Sequence, residues 1–159
     1  MKIRVGFGYD VHRLKEGETF ILGGININHY KGTLAHSDGD VLIHAICDAL
    51  LGAANLRDIG VLFPDNSNEY KNINSKILLQ KTVELLKEHS YSISNIDSTI
   101  CLQKPKIKDI IPEMQKILST VMNISINDIS IKATTTEKLG FVGNEEGISC
   151  YAVCLIEKK

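Results

Sequence analysis

The chain has 159 residues, 43% of them hydrophobic and 23% charged, with a formal net charge of −1 and four cysteines. That is the makeup of one ordinary globular domain, residues 1–159, long enough to bury its own core. Scattered Lys and Arg argue against a nucleic-acid or membrane-surface footprint, and no apolar run approaches the length of a membrane span. Met1-Lys-Ile-Arg leads straight into a strand rather than a signal peptide, so the cytoplasm, or an organelle matrix after processing, is the expected compartment. Cys47, Cys101, Cys150 and Cys154 are too few and too ill-spaced for a disulfide scaffold or a zinc ribbon. Cys150 and Cys154 lie four apart in a strand-like run and read as buried thiols on one face.

Along the chain, alternation predicts a first strand over residues 3–9, with Gly6 and Gly8 allowing close approach to its backbone. Residues 19–22 and 25–27, joined by Gly23-Gly24, read as a short hairpin. A helix follows through His44, capped by Ser37 or Asp38 and ending near Leu51-Gly52. Residues 55–74 read as a loop without structure of its own. A second helix runs from Asn74 or Ser75 through Glu88, with Leu79, Val83 and Leu86 on one face. Residues 95–102 form a strand. A third helix, with Pro112 in its first turn, presents Met114, Ile117, Leu118 and Val121 at core spacing. Residues 129–133 and 148–156 close the chain as strands. The expected class is α+β or mixed α/β.

Two short segments concentrate metal-binding chemistry. Asp10 and His12 are two apart, which on an extended strand puts both side chains on one face. His44 sits on the first helix, four residues after Asp40. Three protein ligands leave a fourth zinc position open, the mark of a catalytic site. The blander account is a chance Asp-x-His and a packed or capped helical histidine. A second cluster, Ala133-Thr-Thr-Thr-Glu-Lys-Leu-Gly-Phe141, offers hydroxyls, Lys138 and Glu137 to a phosphorylated ligand and a hard cation. It equally spells a helix-capping box. Asp58-Ile-Gly60 with Phe63-Pro-Asp65 could hold a polyol's hydroxyls or simply terminate turns.

Taken in order and with their spacing, Asp10-Val-His12, His36-Ser-Asp-Gly-Asp40 with His44, Asp58-Ile-Gly60 with Phe63-Pro-Asp65, and Ala133 to Phe141 resemble the 2-C-methyl-D-erythritol 2,4-cyclodiphosphate synthases of the non-mevalonate isoprenoid pathway. The resemblance covers nearly the whole chain. It implies an α+β fold with a mixed four- to five-stranded sheet, helices packed on one face, and sheets meeting around a homotrimer axis. It implies a cyclising phosphorus-oxygen lyase, acting on 4-diphosphocytidyl-2-C-methyl-D-erythritol 2-phosphate and releasing CMP. By the same resemblance Asp10, His12 and His44 hold zinc, and Glu137 holds magnesium or manganese. His36 and Thr135 stabilise the transition state. The substrate is faced by Asp10, Val11, His12, His36, Ser37, Asp58, Ile59, Gly60, Phe63, Pro64, Asp65, Asn66 and Ser67. From a neighbouring subunit come Leu102, Gln103, Lys104, Pro105, Lys106, Ile107 and Lys108, with Thr134, Thr135, Thr136, Glu137, Lys138, Phe141 and Asn144. The family often runs Thr-Gly-Arg-Gly-Glu-Gly after that phenylalanine, whereas here Asn144 replaces the arginine and Glu145 adds a carboxylate. Two other readings use the same ligands: a zinc-dependent nucleotide diphosphate hydrolase, or a non-catalytic trimer with structural zinc.

Overall fold

The computed structural model describes residues 2–64, 66 and 68–159. A five-stranded sheet forms from β1 (Lys2–Glu16), β4 (Lys31–Leu34), β5 (Tyr91–Cys101), β6 (Ile129–Thr134) and β7 (Gly147–Lys158), in the order β4-β1-β7-β5-β6. All neighbours are antiparallel except β5 and β6, which run parallel. The parallel pair is joined through helix α4 (Ile111–Met122), as a parallel connection requires. A two-stranded hairpin, β2 (Ile21–Leu22) with β3 (Ile25–Asn26), turns at Gly23-Gly24 as expected. Helices α1 (Val41–Ala54), α3 (Ser75–Glu88) and α4 cover one face of the sheet, with short α2 (Ile59–Leu62) and α5 (Gly140–Gly143) at loops. Among the described residues no helix is long and apolar enough to cross a membrane.

Helix α1 is the centre of the molecule. Its sequence is apolar all round, and 12 of its 14 residues are buried, which is the pattern of a helix enclosed on every side. It lies directly on β1 because that strand presents glycine on its inner face. A Cβ at Gly6 would sit 1.8 Å from the Ala49 carbonyl oxygen, and one at Gly8 1.9 Å from that of Ala45. This contact brings the helix turn that carries His44 alongside the next inward positions of β1, Asp10 and His12. Gly8→Ala is therefore expected to destabilise the fold by about 3 kcal/mol, because backbone must move rather than a flexible side chain. In a thermal melt that is a fall of about 10 °C. Gly52→Ala, on the exposed side of α1 with open space around it, should instead raise stability by about 0.5–1 kcal/mol. Equal melts for the two variants would remove the close approach as the reason for glycine in β1.

Several boundaries differ from the sequence expectation. β1 extends beyond residue 9 to Glu16, because residues 10–13 pair with residues 147–150 of β7 and residues 13–16 with β4. β5 begins at Tyr91, paired with Lys158. Helix α1 is capped by neither Ser37 nor Asp38. Asp40 is the N-cap, accepting from the Ile43 amide at 3.1 Å, and α1 runs to Ala54, where Asn55 turns left-handed at φ 61°. Residues 55–74 are not without structure, since they hold α2 and a 3₁₀ turn at Asn68–Tyr70. Helix α3 starts at Ser75 under an Asn74 cap and buries Leu79, Val83 and Leu86, as its periodicity predicts. Cys150 and Cys154 are buried free thiols on the inner face of β7.

Candidate active site

Asp10, His12 and His44 converge. Asp10 Oδ2 lies 3.1 Å from His12 Nε2 and 3.0 Å from His44 Nδ1, and the two ring nitrogens are 3.1 Å apart. Ligands at zinc–nitrogen and zinc–oxygen distances on a tetrahedral ion stand about 3.3 Å from one another, so these three atoms already outline one tetrahedral face. Among the described residues they are a group of acidic and histidine side chains able to hold a metal ion. The electrostatics demand positive charge. Burial works to raise the Asp10 pKa, but hydrogen bonds from His12 and His44, with their charge, hold it at about 2. Burial works to lower that of His44, yet the hydrogen bond and charge of Asp10, with Asp40 and Asp38 behind, raise it above its usual value. A divalent cation satisfies the same demand with a better fit than protons.

The surroundings of His44 were not foreseen from the sequence. Its Nε2 is 3.0 Å from Ser75 Oγ and 3.2 Å from Ser37 Oγ. Ser75 Oγ donates in a short hydrogen bond to Asp38 Oδ1, and the Ser75 amide donates to Asp38 Oδ2 at 2.9 Å. The contact joins residues 37 apart, and only the Asn74 cap hinted at how α3 would begin. Asp40 instead orients the helix: its buried carboxylate accepts from Gly23 N at 3.0 Å and Gly24 N at 2.7 Å, tying the hairpin to the start of α1. Burial raises the Asp40 pKa, while those amide bonds oppose the rise.

A cleft of about 290 Å³ opens beside the triad, lined by His12, His36, Ser37, His44, Ile59, Gly60, Phe63 and Tyr70 among others. Its far wall is α2. The Asp58 carboxylate caps that helix through Val61 N at 3.1 Å, and Asp48 on α1 accepts from Ile59 N at 2.8 Å, so the helix that carries His44 also fixes this wall. Phe63 meets Tyr70 edge-on at 5.5 Å, with Lys81 over both rings. Pro64 is half-buried and Asn66 exposed, while Asp65 and Ser67 lie outside the described residues. Val11 does not join the cleft lining, because alternation along β1 turns its side chain to the opposite sheet face, 42% exposed.

The second cluster lines a separate cleft of about 140 Å³, formed by Leu102, Gln103, Pro105, Lys106, Ile107 and Lys108 with Ala133, Thr134 and Thr135. Among the described residues none lines both clefts. The capping-box alternative for this segment fails. Thr134 ends β6, no helix starts there, and Glu137 and Lys138 turn left-handed at φ 54° and 65°. Non-glycine residues in that region carry a backbone cost typical of functional loops. The Thr135 hydroxyl donates to Glu137 Oε1 and accepts from the Glu137 amide, each at 3.3 Å. The Lys138 amide donates to Gln103 Oε1 at 3.3 Å, and Thr136 Oγ1 to the Leu139 carbonyl at 2.7 Å. Lys104 pairs with Glu145 at 3.2 Å. Phe141 stands exposed over Gly147, and exposed Asn144 closes α5.

Comparison with known proteins agrees with this geometry. A family model described as the YgbB family matches residues 3–157. The 2-C-methyl-D-erythritol 2,4-cyclodiphosphate synthase of Bacteroides fragilis is 66% identical over 158 residues, 99% of each chain. This chain belongs to the YgbB family. Solved structures of the family share its fold. The bifunctional IspDF of Campylobacter jejuni superposes with a TM-score of 0.95 at 40% identity, covering 99% of this chain and 43% of that longer one. The IspF–CDP complex of Plasmodium falciparum gives 0.87 at 42% identity, covering 99% and 97%. The α+β class, the five-stranded sheet and the helices packed on one face are thus those of the YgbB family.

Proposed function

We infer that this chain, acting as a single cyclodiphosphate synthase unit, converts 4-diphosphocytidyl-2-C-methyl-D-erythritol 2-phosphate to 2-C-methyl-D-erythritol 2,4-cyclodiphosphate and CMP. It is a cyclising phosphorus-oxygen lyase of isoprenoid precursor synthesis. The observation that carries the reading is the convergence of Asp10, His12 and His44 beside an open cleft, in a chain of this family. An oxygen of the 2-phosphate attacks the β-phosphorus, the bond from that phosphorus to the bridging oxygen breaks, and CMP leaves with the electron pair. The attacking phosphate is already deprotonated at neutral pH, so in-line positioning and charge neutralisation matter more than a base. The reaction therefore calls for no serine or cysteine nucleophile, and the Ser37 and Ser75 hydroxyls beside His44 are not needed as one.

Asp10, His12 and His44 would hold zinc, and Glu137 a magnesium or manganese ion. When bound, these cations supply Lewis acidity and offset like-charge repulsion between the phosphates. His36 and Thr135 donate to the phosphoryl oxygens as charge shifts in the transition state. Ser37, Ile59, Gly60 and the segment through Phe63 hold the methylerythritol part, and residues 102–108 the cytidine. Closure of residues 55–74 would keep water from the β-phosphorus, favouring cyclisation over hydrolysis. Incubation with the diphosphocytidyl substrate and magnesium, followed by phosphorus NMR, should give a cyclic diphosphate and CMP. Free methylerythritol bisphosphate would instead favour the nucleotide diphosphate hydrolase.

The two clefts are proposed to meet across subunits of a homotrimer, in the cytoplasm. Supporting this, the outer face of β1 and β7 exposes Val5, Phe7, Tyr9, Val11, Tyr151 and Val153, a contiguous apolar surface that a lone chain would leave in water. Tyr9 and Tyr151 rings lie 5.0 Å apart on it. Mixing inactive His44→Ala with impaired Glu137→Gln subunits should then raise activity above that of the two variants assayed separately, since some interfaces regain two intact halves. No recovery after confirmed subunit exchange would place both clusters in one subunit's site.

A further inference from the structure

Hydrogen-bond direction around Ser75 settles a detail of the metal centre that the ligand set alone leaves open. Asp38 acts purely as an acceptor here: Oδ1 takes the Ser75 hydroxyl and the Asp40 amide, and Oδ2 takes the Ser75 amide at 2.9 Å. The hydroxyl has one hydrogen, and Asp38 holds it. Toward His44 Nε2, 3.0 Å away, Ser75 Oγ can therefore only accept. Ser37 Oγ, 3.2 Å from the same nitrogen, has no carboxylate partner among the described residues and cannot impose a direction. Ser75 is fully buried, so no solvent competes for the bond.

We propose that Asp38 and Ser75 are positioning residues that, as a carboxylate–hydroxyl relay, keep the hydrogen of His44 on Nε2 and turn the Nδ1 lone pair toward Asp10 and His12. This rests on the zinc reading given above. A metal-ligating histidine whose far nitrogen donates to an oriented acceptor is fixed in tautomer and ring angle, and loss of such a partner weakens metal binding by about 10- to 100-fold. The relay also couples the metal centre to α3, of which Ser75 is the first residue.

Ser75→Ala tests the relay, because the residue 75 amide still donates to Asp38 and only the hydroxyl is lost. Zinc affinity is measured by competition with a chromophoric chelator. Alongside it are read the difference in melting temperature between zinc-loaded and zinc-free protein and the visible spectrum of the cobalt-substituted form. The expected result is a rise in zinc Kd of about 10- to 100-fold, a smaller zinc-dependent gain in melting temperature and an altered cobalt spectrum, with the zinc-free melt little changed. Asp38→Asn should move the same readouts in the same direction. The double variant should be no worse than Ser75→Ala, since both changes break one relay. Zinc affinity within twofold of the parent in Ser75→Ala, or a fully additive double variant, overturns the relay while leaving the zinc site standing. A parent protein that binds no zinc overturns both.

Discussion

Replacing His44 with alanine should strip the zinc and abolish turnover while the chain stays folded. The imidazole is one of the three side chains proposed to hold the zinc, and its Nδ1 is the only one of their converging atoms contributed by α1. Loss of a group that merely orients a ligand costs about 10- to 100-fold in affinity or activity. Loss of the ligand itself lies beyond that range, so activity should fall below about 1% of the parent. The fold survives because α1 is held by the many buried apolar side chains around His44 and by the Asp40 cap, none of which the substitution touches. A small buried cavity remains, at a cost of about 1–3 kcal/mol. Metal analysis, a circular-dichroism melt and the phosphorus NMR assay together decide the matter. Stoichiometric zinc with near-normal turnover would move the metal centre elsewhere.

Glu137→Gln should leave zinc in place and cripple the response to magnesium. The amide has the shape of the carboxylate, can still accept from the Thr135 hydroxyl, and has no different preference for the left-handed backbone at φ 54°. What it lacks is charge, and a neutral amide is a weak ligand for a hard cation. The magnesium concentration for half-maximal rate should rise at least about tenfold, and the rate at saturating substrate should fall by about 10- to 100-fold. Unchanged magnesium titration curves would reduce Glu137 to a turn residue bonded to Thr135. Because Glu137 is not one of the three converging side chains Asp10, His12 and His44, zinc content serves as an internal control on folding.

Much of this was legible in the residues, and the exceptions share a cause. Helix α3 was readable because Asn74 caps it and Leu79, Val83 and Leu86 repeat at helical spacing, all local signals. The Asp10, His12 and His44 set was readable because two periods, that of a strand and that of a helix, each fix a facing direction. The far half of β1 was hidden, since Asp10 to Arg13 break the apolar alternation and are held in the sheet by β7, more than 130 residues away. The choice of Asp40 over Ser37 or Asp38 as the cap depends on the amides of Gly23 and Gly24, and the relay through Ser75 on a contact 37 residues apart. Neither leaves a mark in a local window. Nor does spacing reveal that the threonine cluster and the triad occupy separate clefts, because which strand ends share a mouth is a matter of topology.

The seam between β1 and α1 also bears on how this protein can drift in sequence. Gly6 and Gly8 meet the carbonyls of Ala49 and Ala45 without any side chain between. The separation of the strand bearing Asp10 and His12 from the helix bearing His44 is thus set by main chain against main chain, with no rotamer to readjust. Apolar exchanges elsewhere in the core can be absorbed by repacking, but these four positions offer no such slack. In a library selected only for folding, they should tolerate the fewest residue types of any pair of adjoining elements. No exchange on the helix removes those carbonyls, so a larger residue at either glycine cannot be offset at Ala45 or Ala49 and must displace the strand itself.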